Sequence, residues 1–304
     1  MKFRGVVPPV VTPLTADGAL DVVSFERSIN RMIDAGVDGL FVLGSSGEVV
    51  FSDDARRREV IENAVRIVAG RVPVMVGIID MTTKRCIEHA RVAQELGADA
   101  IVATAPFYAI LGPKEIKRHF RLIHEAVDLP MFAYDIPVCV HVKLSPALIL
   151  ELAREGVLAG VKDSSGDDVS FRFLTQARDE EGLDLALLTG HEVVVDGAYM
   201  SHADGSVPGL ANVDPVVYVE QWRAYQAGDW DRVRELQDQA TRLMRIVQVT
   251  NGEVGYAAGV GAFKTALMLL GVFETNTMPE PVLALEGENV EAVAQVLRSS
   301  GLLK

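Results

Sequence analysis

Glycine divides this chain into units. It follows an amphipathic stretch and precedes a short apolar run at Ala35-Gly36-Val37-Asp38-Gly39, Ala69-Gly70-Arg71-Val72-Pro73, Leu96-Gly97-Ala98-Asp99-Ala100, Glu155-Gly156-Val157 and Glu181-Gly182-Leu183. Glycine directly after a helix is the left-handed stop, since it has no Cβ to clash there. The steps are 34 (36 to 70), 27 (70 to 97), 59 (97 to 156) and 26 (156 to 182). The step of 59 holds two units, with Val127-Asp128-Leu129-Pro130 as the turn between them. A strand and its crossover helix need roughly 30 residues, so the spacing predicts βα units.

Strands are predicted over 6–11, 39–43, 74–78, 100–104, 131–134, 158–162, 185–189 and 205–207. They read as continuous apolar runs, which suits parallel strands covered on both faces. Helical periodicity covers 22–35, 53–69, 83–96, 114–127, 146–154, 169–178 and 193–202. Ser52-Asp53 and Ser145-Pro146 read as helix starts. Eight such units predict a TIM (β/α)8 barrel. A doubly wound sheet fits less well, because no GxGxxG follows the first strand. Beyond about Asp214 only helices are expected, over 215–228, 230–249, 262–270 and 290–299. The expected division is a barrel over 1–225 and a C-terminal helical bundle over 226–304. No low-complexity linker separates them, so the two should pack together.

The 304 residues carry a net charge of -13. That opposes nucleic acid, whose phosphates need clustered Lys and Arg, and opposes an anionic membrane surface. No apolar stretch approaches the roughly 20 residues of a membrane span. Met1-Lys2-Phe3-Arg4 leads into a proline-rich segment rather than an apolar core, so no signal peptide is expected. Two cysteines, Cys86 and Cys139, without CxxC spacing, suit a reducing cytoplasm. His119 and His124 lie five apart and face different sides of a helix, and neither HxH nor HExxH occurs. No metal and no cofactor are expected.

A barrel of this kind places its chemistry at the carboxyl ends of the strands. There the sixth run, Val157-Leu158-Ala159-Gly160-Val161, delivers Lys162 and then turns at Asp163-Ser164-Ser165-Gly166. An amine held at that point leaves bulk water, which disfavours its charged form. A neutral lysine can attack a carbonyl and form a Schiff base; a solvated loop lysine is the alternative. Strand two ends in Gly44-Ser45-Ser46-Gly47-Glu48, whose backbone N–H groups can form an anion nest or simply cap a helix. Tyr108 follows strand four, and strand five ends Tyr134-Asp135-Ile136-Pro137. A phenol near an amine can move protons to and from a carbinolamine. Strand seven ends Thr189-Gly190-His191-Glu192, where the histidine and acid could contact a distal hydroxylated group or open a helix. Gly205-Ser206-Val207-Pro208-Gly209, after strand eight, could hold a phosphate.

GSSGE after strand two, YDIP after strand five and VKDSSG after strand six together resemble the pyruvate-dependent class I aldolases. That family holds dihydrodipicolinate synthase, N-acetylneuraminate lyase and 2-keto-3-deoxy sugar-acid aldolases and dehydratases. The resemblance runs from Gly5-Val6-Val7-Pro8-Pro9 to Phe263-Lys264. It implies that Lys162 forms the Schiff base with C2 of a 2-oxo acid, and that Tyr134 shuttles protons. Ser45 and Ser46, with Gly47, would bind the substrate carboxylate. Tyr108 would complete the relay from a neighbouring subunit, which implies a homo-oligomer, a dimer or a tetramer. Two departures bear on substrate. The synthase's arginine, two residues after the motif's proline, is Cys139 here. Asp135 replaces the usual Asn. Losing an arginine removes a charge-assisted contact worth about 1.5–3 kcal/mol. Expectation therefore favours a 2-keto-3-deoxy sugar acid over synthase chemistry, with a non-catalytic binding barrel as the reading of another class. Asp135, Cys139, Gly190, His191 and Val207 would line the distal half.

Overall fold

The chain's apolar runs become one eight-stranded sheet in the computed structural model, which describes residues 3–304. The strands are β1 (Gly5–Val6), β2 (Leu40–Val42), β3 (Val74–Gly77), β4 (Ala100–Thr104), β5 (Met131–Asp135), β6 (Gly160–Asp163), β7 (Ala186–Thr189) and β8 (Gly205–Ser206). Every paired neighbour is parallel, and the order is β1-β8-β7-β6-β5-β4-β3-β2. The sheet closes where Asp38 N–H donates to Val6 O (2.8 Å), Phe41 N–H to Pro8 O (2.9 Å) and Val10 N–H to Phe41 O (2.8 Å). The fold is the expected TIM (β/α)8 barrel. Strand residues are buried along their whole lengths, as the unbroken apolar runs required.

β1 is shorter than the predicted 6–11. Pro8 and Pro9 carry no N–H, so they cannot donate to a ladder, and only an isolated bridge from Pro9 to Phe41 continues the pairing.

The crossovers are Val22–Ala35, Asp54–Val68, Thr83–Glu95, Pro113–His124, Pro146–Arg154, Asp168–Glu181 and the short Val195–Met200. Side chains of Asp21, Asp53, Thr82, Ser145 and Asp167 accept from backbone N–H groups of the first turns they open. Two short helices escaped the periodicity reading, Gly255–Ala258 and one beside the mouth. Pro137–Val140 is a single turn after β5, opened by a proline in its first turn and closed by left-handed His141. After β8, helix Pro215–Ala227 packs on β1 and on Val22–Ala35, closing the outer ring. Trp230–Leu243 packs on it in turn, and the stretch predicted as one helix to 249 tightens into the 3-10 turn Met244–Val247. Gly255–Ala258, Val260–Leu269 and Gly287–Ser299 complete the helices. Among the described residues no helix is long and apolar enough to cross a membrane.

One buried ion pair ties the C-terminal helices to the mouth of the barrel. Lys264, fully buried in helix Val260–Leu269, donates to Glu48 Oε2 (2.8 Å) and to Thr277 O (2.9 Å). Glu48 stands immediately after the Gly44–Gly47 turn, in left-handed backbone geometry. Burial pushes its carboxyl up and the Lys264 charge pulls it back down. Lys264→Met should therefore cost about 3–5 kcal/mol in urea unfolding, since it leaves a buried carboxylate uncompensated. The double variant Glu48→Gln/Lys264→Met should regain part of that loss. A single variant as stable as the parent would show that the pair does not matter.

Candidate active site

Register builds the centre of the site. In the parallel pairing of β5 with β6, Tyr134 lies opposite Lys162 and Asp135 opposite Asp163. Side chains alternate along a strand, so the first pair and the second pair face opposite sides of the sheet. Lys162 and Tyr134 are both buried. The Lys162 Nζ stands over the Tyr134 ring at 4.1 Å and over the Phe41 ring at 5.1 Å. Among the described residues no carboxylate pairs with this amine.

From Tyr134 the contacts lead to β2. Its hydroxyl is 3.4 Å from the Ser45 hydroxyl, so a proton can pass between them with a small movement. The turn that carries Ser45 is stripped of intramolecular donors. The backbone N–H groups of Gly44, Ser45, Ser46 and Gly47 donate to no acceptor among the described residues, while Glu48 N–H returns to Ser45 O (3.0 Å). Four uncommitted N–H groups beside two hydroxyls make a receptor for a carboxylate. The turn is held from outside. Arg57 donates to Ser52 O (3.1 Å), Val49 O (3.1 Å) and Ile79 O (3.0 Å), joining the loops after β2 and β3. Thr12 donates to Gly47 O (2.9 Å).

Gly190 lets β7 close against the amine. A Cβ there would stand 2.0 Å from Ser164 Oγ and 3.1 Å from Lys162 Cε, and its N–H donates to Asp163 O (2.6 Å). His191 lies at the rim, its Cε1 3.2 Å from where a Cβ on Gly166 would be. Val207 is buried, its N–H bonded to Thr189 O (2.7 Å).

Two further residues complete the site. Glu192 turns inward, accepting from Gly209 N–H (2.8 Å) and Leu210 N–H (3.1 Å). Its Oε1, Ser46 Oγ and the Phe263 ring all crowd the point where a Cβ on Gly209 would stand. Burial pushes the Glu192 carboxyl up to about 7, against the pull of those N–H groups and of Lys162. The Gly-His-Glu run at the end of β7 signalled its position but not its direction. Tyr256, from the short helix Gly255–Ala258, donates to Ser45 O (3.2 Å). No spacing in the sequence links a residue that distant to the β2 turn.

The structure corrects one expectation. Asp135 does not line the distal pocket: it is fully buried on the far face of β5, with one oxygen on Leu144 N–H (3.0 Å) and the other on Lys143. The alternation that aims Tyr134 inward necessarily aims Asp135 outward. Cys139 is exposed, because the Pro137–Val140 turn lifts it to the mouth. It lines a cavity of about 50 Å³ with Ser45, Thr104, Ile136 and Tyr256. Tyr108 is not brought to the site of its own chain: it is 91% exposed and left-handed. A cleft of about 1040 Å³ lies elsewhere, between 14–18, the start of helix Asp54–Val68 and 277–280, and none of Lys162, Tyr134 or Ser45 lines it.

Comparison with known proteins identifies the family. A model of the dihydrodipicolinate synthetase family matches residues 2–300. An uncharacterized DapA-like lyase of Halobacterium salinarum is 34% identical over 303 residues, covering 100% of this chain and 96% of its own. An Escherichia coli K12 protein named "Probable 2-dehydro-3-deoxy-D-pentonate aldolase" is 29% identical over 304 residues, covering 99% of each. The crystal structure of an E. coli K12 prophage protein of the dihydrodipicolinic acid synthase family, in complex with pyruvate, superposes with a TM-score of 0.92 at 27% identity, covering 99% of each chain. This chain belongs to the dihydrodipicolinate synthetase family and is a lyase of it.

Proposed function

We propose that the chain is a Schiff-base-forming lyase of pyruvate-type 2-oxo acids, acting on a 2-keto-3-deoxy sugar acid or a related hydroxylated 2-oxo acid. The observation that carries this reading is the buried Lys162 amine over the Tyr134 ring, with Tyr134 in reach of the Ser45 hydroxyl. The N–H groups and hydroxyls of Ser45, Ser46 and Gly47 receive the substrate carboxylate. Lys162 adds to C2, and the carbinolamine loses its hydroxyl as water with a proton delivered by Tyr134. The resulting iminium is an electron sink. In cleavage the C3–C4 bond breaks, its electrons enter the iminium to give an enamine, and the C4 hydroxyl loses its proton as an aldehyde departs. Protonation at C3 and addition of water then release pyruvate and the free amine.

Glu192 is the acid–base group for the C4 side, since it lies by Ser46 with a carboxyl poised near neutrality. The distal pocket favours a neutral, hydroxylated substituent. Cys139 supplies no charge for a second carboxylate, and Glu192 repels one. The exposed Tyr108 is read as completing the relay of a neighbouring subunit in a homo-oligomer, and the chain as working in the cytoplasm. The pyruvate held by the prophage relative supports the 2-oxo acid class.

Borohydride reduction in the presence of pyruvate should leave a mass adduct on Lys162. Lys162→Ala should show none, with turnover reduced at least about 10³-fold. An unmodified parent chain would sink the Schiff-base reading. On a substrate panel, 2-keto-3-deoxy sugar acids should turn over faster than pyruvate condenses with aspartate semialdehyde. The reverse order would make the synthase reading the better one.

The Glu192 carboxyl is protonated below about pH 7 and ionised above it. The kcat profile should bend there, and Glu192→Gln should remove the bend and lower kcat roughly 10²-fold. Borohydride trapping of pyruvate, which has no C4, should survive that substitution. A Glu192→Gln enzyme keeping the parent's profile would exclude this role.

A further inference from the structure

Behind the Tyr134–Lys162 pair lies a second, charged pair. Asp135 and Asp163 are opposite each other in the same register, both buried, on the far side of the strand ends. One ammonium serves both. Lys143 pairs with Asp135 Oδ2 and stands 3.8 Å from Asp163 Oδ2, while its third contact is Leu144 O (3.1 Å). The remaining oxygens are taken: Leu144 N–H donates to Asp135 Oδ1 (3.0 Å), and Ser165 donates to Asp163 Oδ1 through both N–H (2.8 Å) and hydroxyl (2.7 Å). Among the described residues Asp163 Oδ2 has no hydrogen-bond partner, and Lys143 supplies its compensation. Ser164 N–H, donating to Asp135 O (2.9 Å), adds a backbone tie between the same two strand ends.

The position of Lys143 gives the cluster reach. The chain leaves β5 at Asp135, makes the Pro137–Val140 turn, reverses at left-handed His141 and returns at Lys143. The loop that carries Cys139 to the mouth is thus fastened at both ends to the back of β5. Asp135 stands where the resembled family has Asn, which would need no counter-charge; here the extra carboxylate comes with a lysine eight residues on.

We propose that Lys143 is a positioning residue: with Asp135 and Asp163 it clasps the ends of β5 and β6 from behind and holds the Tyr134 phenol and the Lys162 amine in line for imine formation. The proposal rests on the Schiff-base reading. It follows from alternation along the strands, because any shift of Asp135 or Asp163 moves its neighbour on the opposite face with it. Removing the ammonium leaves two buried carboxylates facing each other, and they part by moving the strand ends.

The test is the rate of borohydride trapping across pyruvate concentrations, with thermal unfolding of each variant alongside. Lys143→Met should lower the maximal trapping rate about 10-fold or more, since small misplacements of reacting groups cost that much. The half-saturating pyruvate concentration should hold within about twofold, because the carboxylate receptor lies on the β2 turn; a general loosening of the barrel would move both. Lys143→Arg, which keeps the charge, and Asp135→Asn/Lys143→Met, which leaves one carboxylate in place of two facing ones and the parent cluster's net charge, should return to within about threefold of the parent. If Lys143→Met does not fold, the double variant must fold and trap. A double variant no better than the single one, in folding and in trapping, overturns the clasp. So does a Lys143→Met enzyme that traps at the parent's rate. A parent chain that forms no adduct overturns the Schiff-base reading, and the clasp with it.

Discussion

Everything at the mouth of this barrel depends on the register between β5 and β6. Parallel pairing sets Tyr134 against Lys162, and the two-residue period of a strand then separates one pair for the interior from one pair for the outside. A slip of one residue would send the amine into the helical layer and bring Asp163 into the barrel. Lys143 touches both outer carboxylates, Gly190 lets β7 close without displacing the lysine, and a backbone bond from Ser164 joins the two ends. These contacts lie within a few residues of the strand ends, where a barrel's precision is needed.

The β2 turn is the other half of the site, and it is held from a distance. Its N–H groups are left uncommitted, which would cost free energy if they were buried from water for nothing. Arg57 supports it from the neighbouring helix, Tyr256 from the C-terminal helices, and Glu48 ties it to Lys264. The C-terminal helices therefore do more than cover the barrel. They fix the turn whose free donors meet the ligand, and the buried ion pair carries that fixation.

The fold was legible because glycine stops and unbroken apolar runs are local signals that tertiary context seldom overrides. All eight strands lie where those runs placed them; the others lost at most a residue or two, and β1 lost most of its length for a reason visible in Pro8 and Pro9. The strand ends were legible too, so Lys162, Tyr134 and Ser45 could be brought together before any coordinates. What escaped was direction and distance. Asp135 looked like a pocket residue because its neighbour was one. Glu192 could face a distal group or open a helix, and it is the Gly209 and Leu210 N–H groups, supplied after β8, that turn it inward. Tyr256 reaches Ser45 across 211 positions of sequence, a pairing that no periodicity encodes.

The charge arrangement suits the proposed chemistry in one further way. An amine can shed its positive charge by losing a proton, but an iminium cannot. The aromatic faces of Tyr134 and Phe41 stabilise a cation at Nζ modestly, and among the described residues no carboxylate pairs with that amine. The counter-charge for the iminium therefore arrives with the substrate, as the carboxylate held by neutral N–H groups of the β2 turn. A receptor of that kind cancels none of the substrate's charge, as an arginine would. It leaves the carboxylate's field for the cation formed beside it. The nearby basic groups are occupied: Lys264 by Glu48, Lys143 by Asp135, and Arg57 by three carbonyls. Beyond the first three carbons, a neutral thiol and a carboxyl poised near neutrality select against a second anion. The absence of an arginine at Cys139 is thus consistent with the way the whole mouth handles charge.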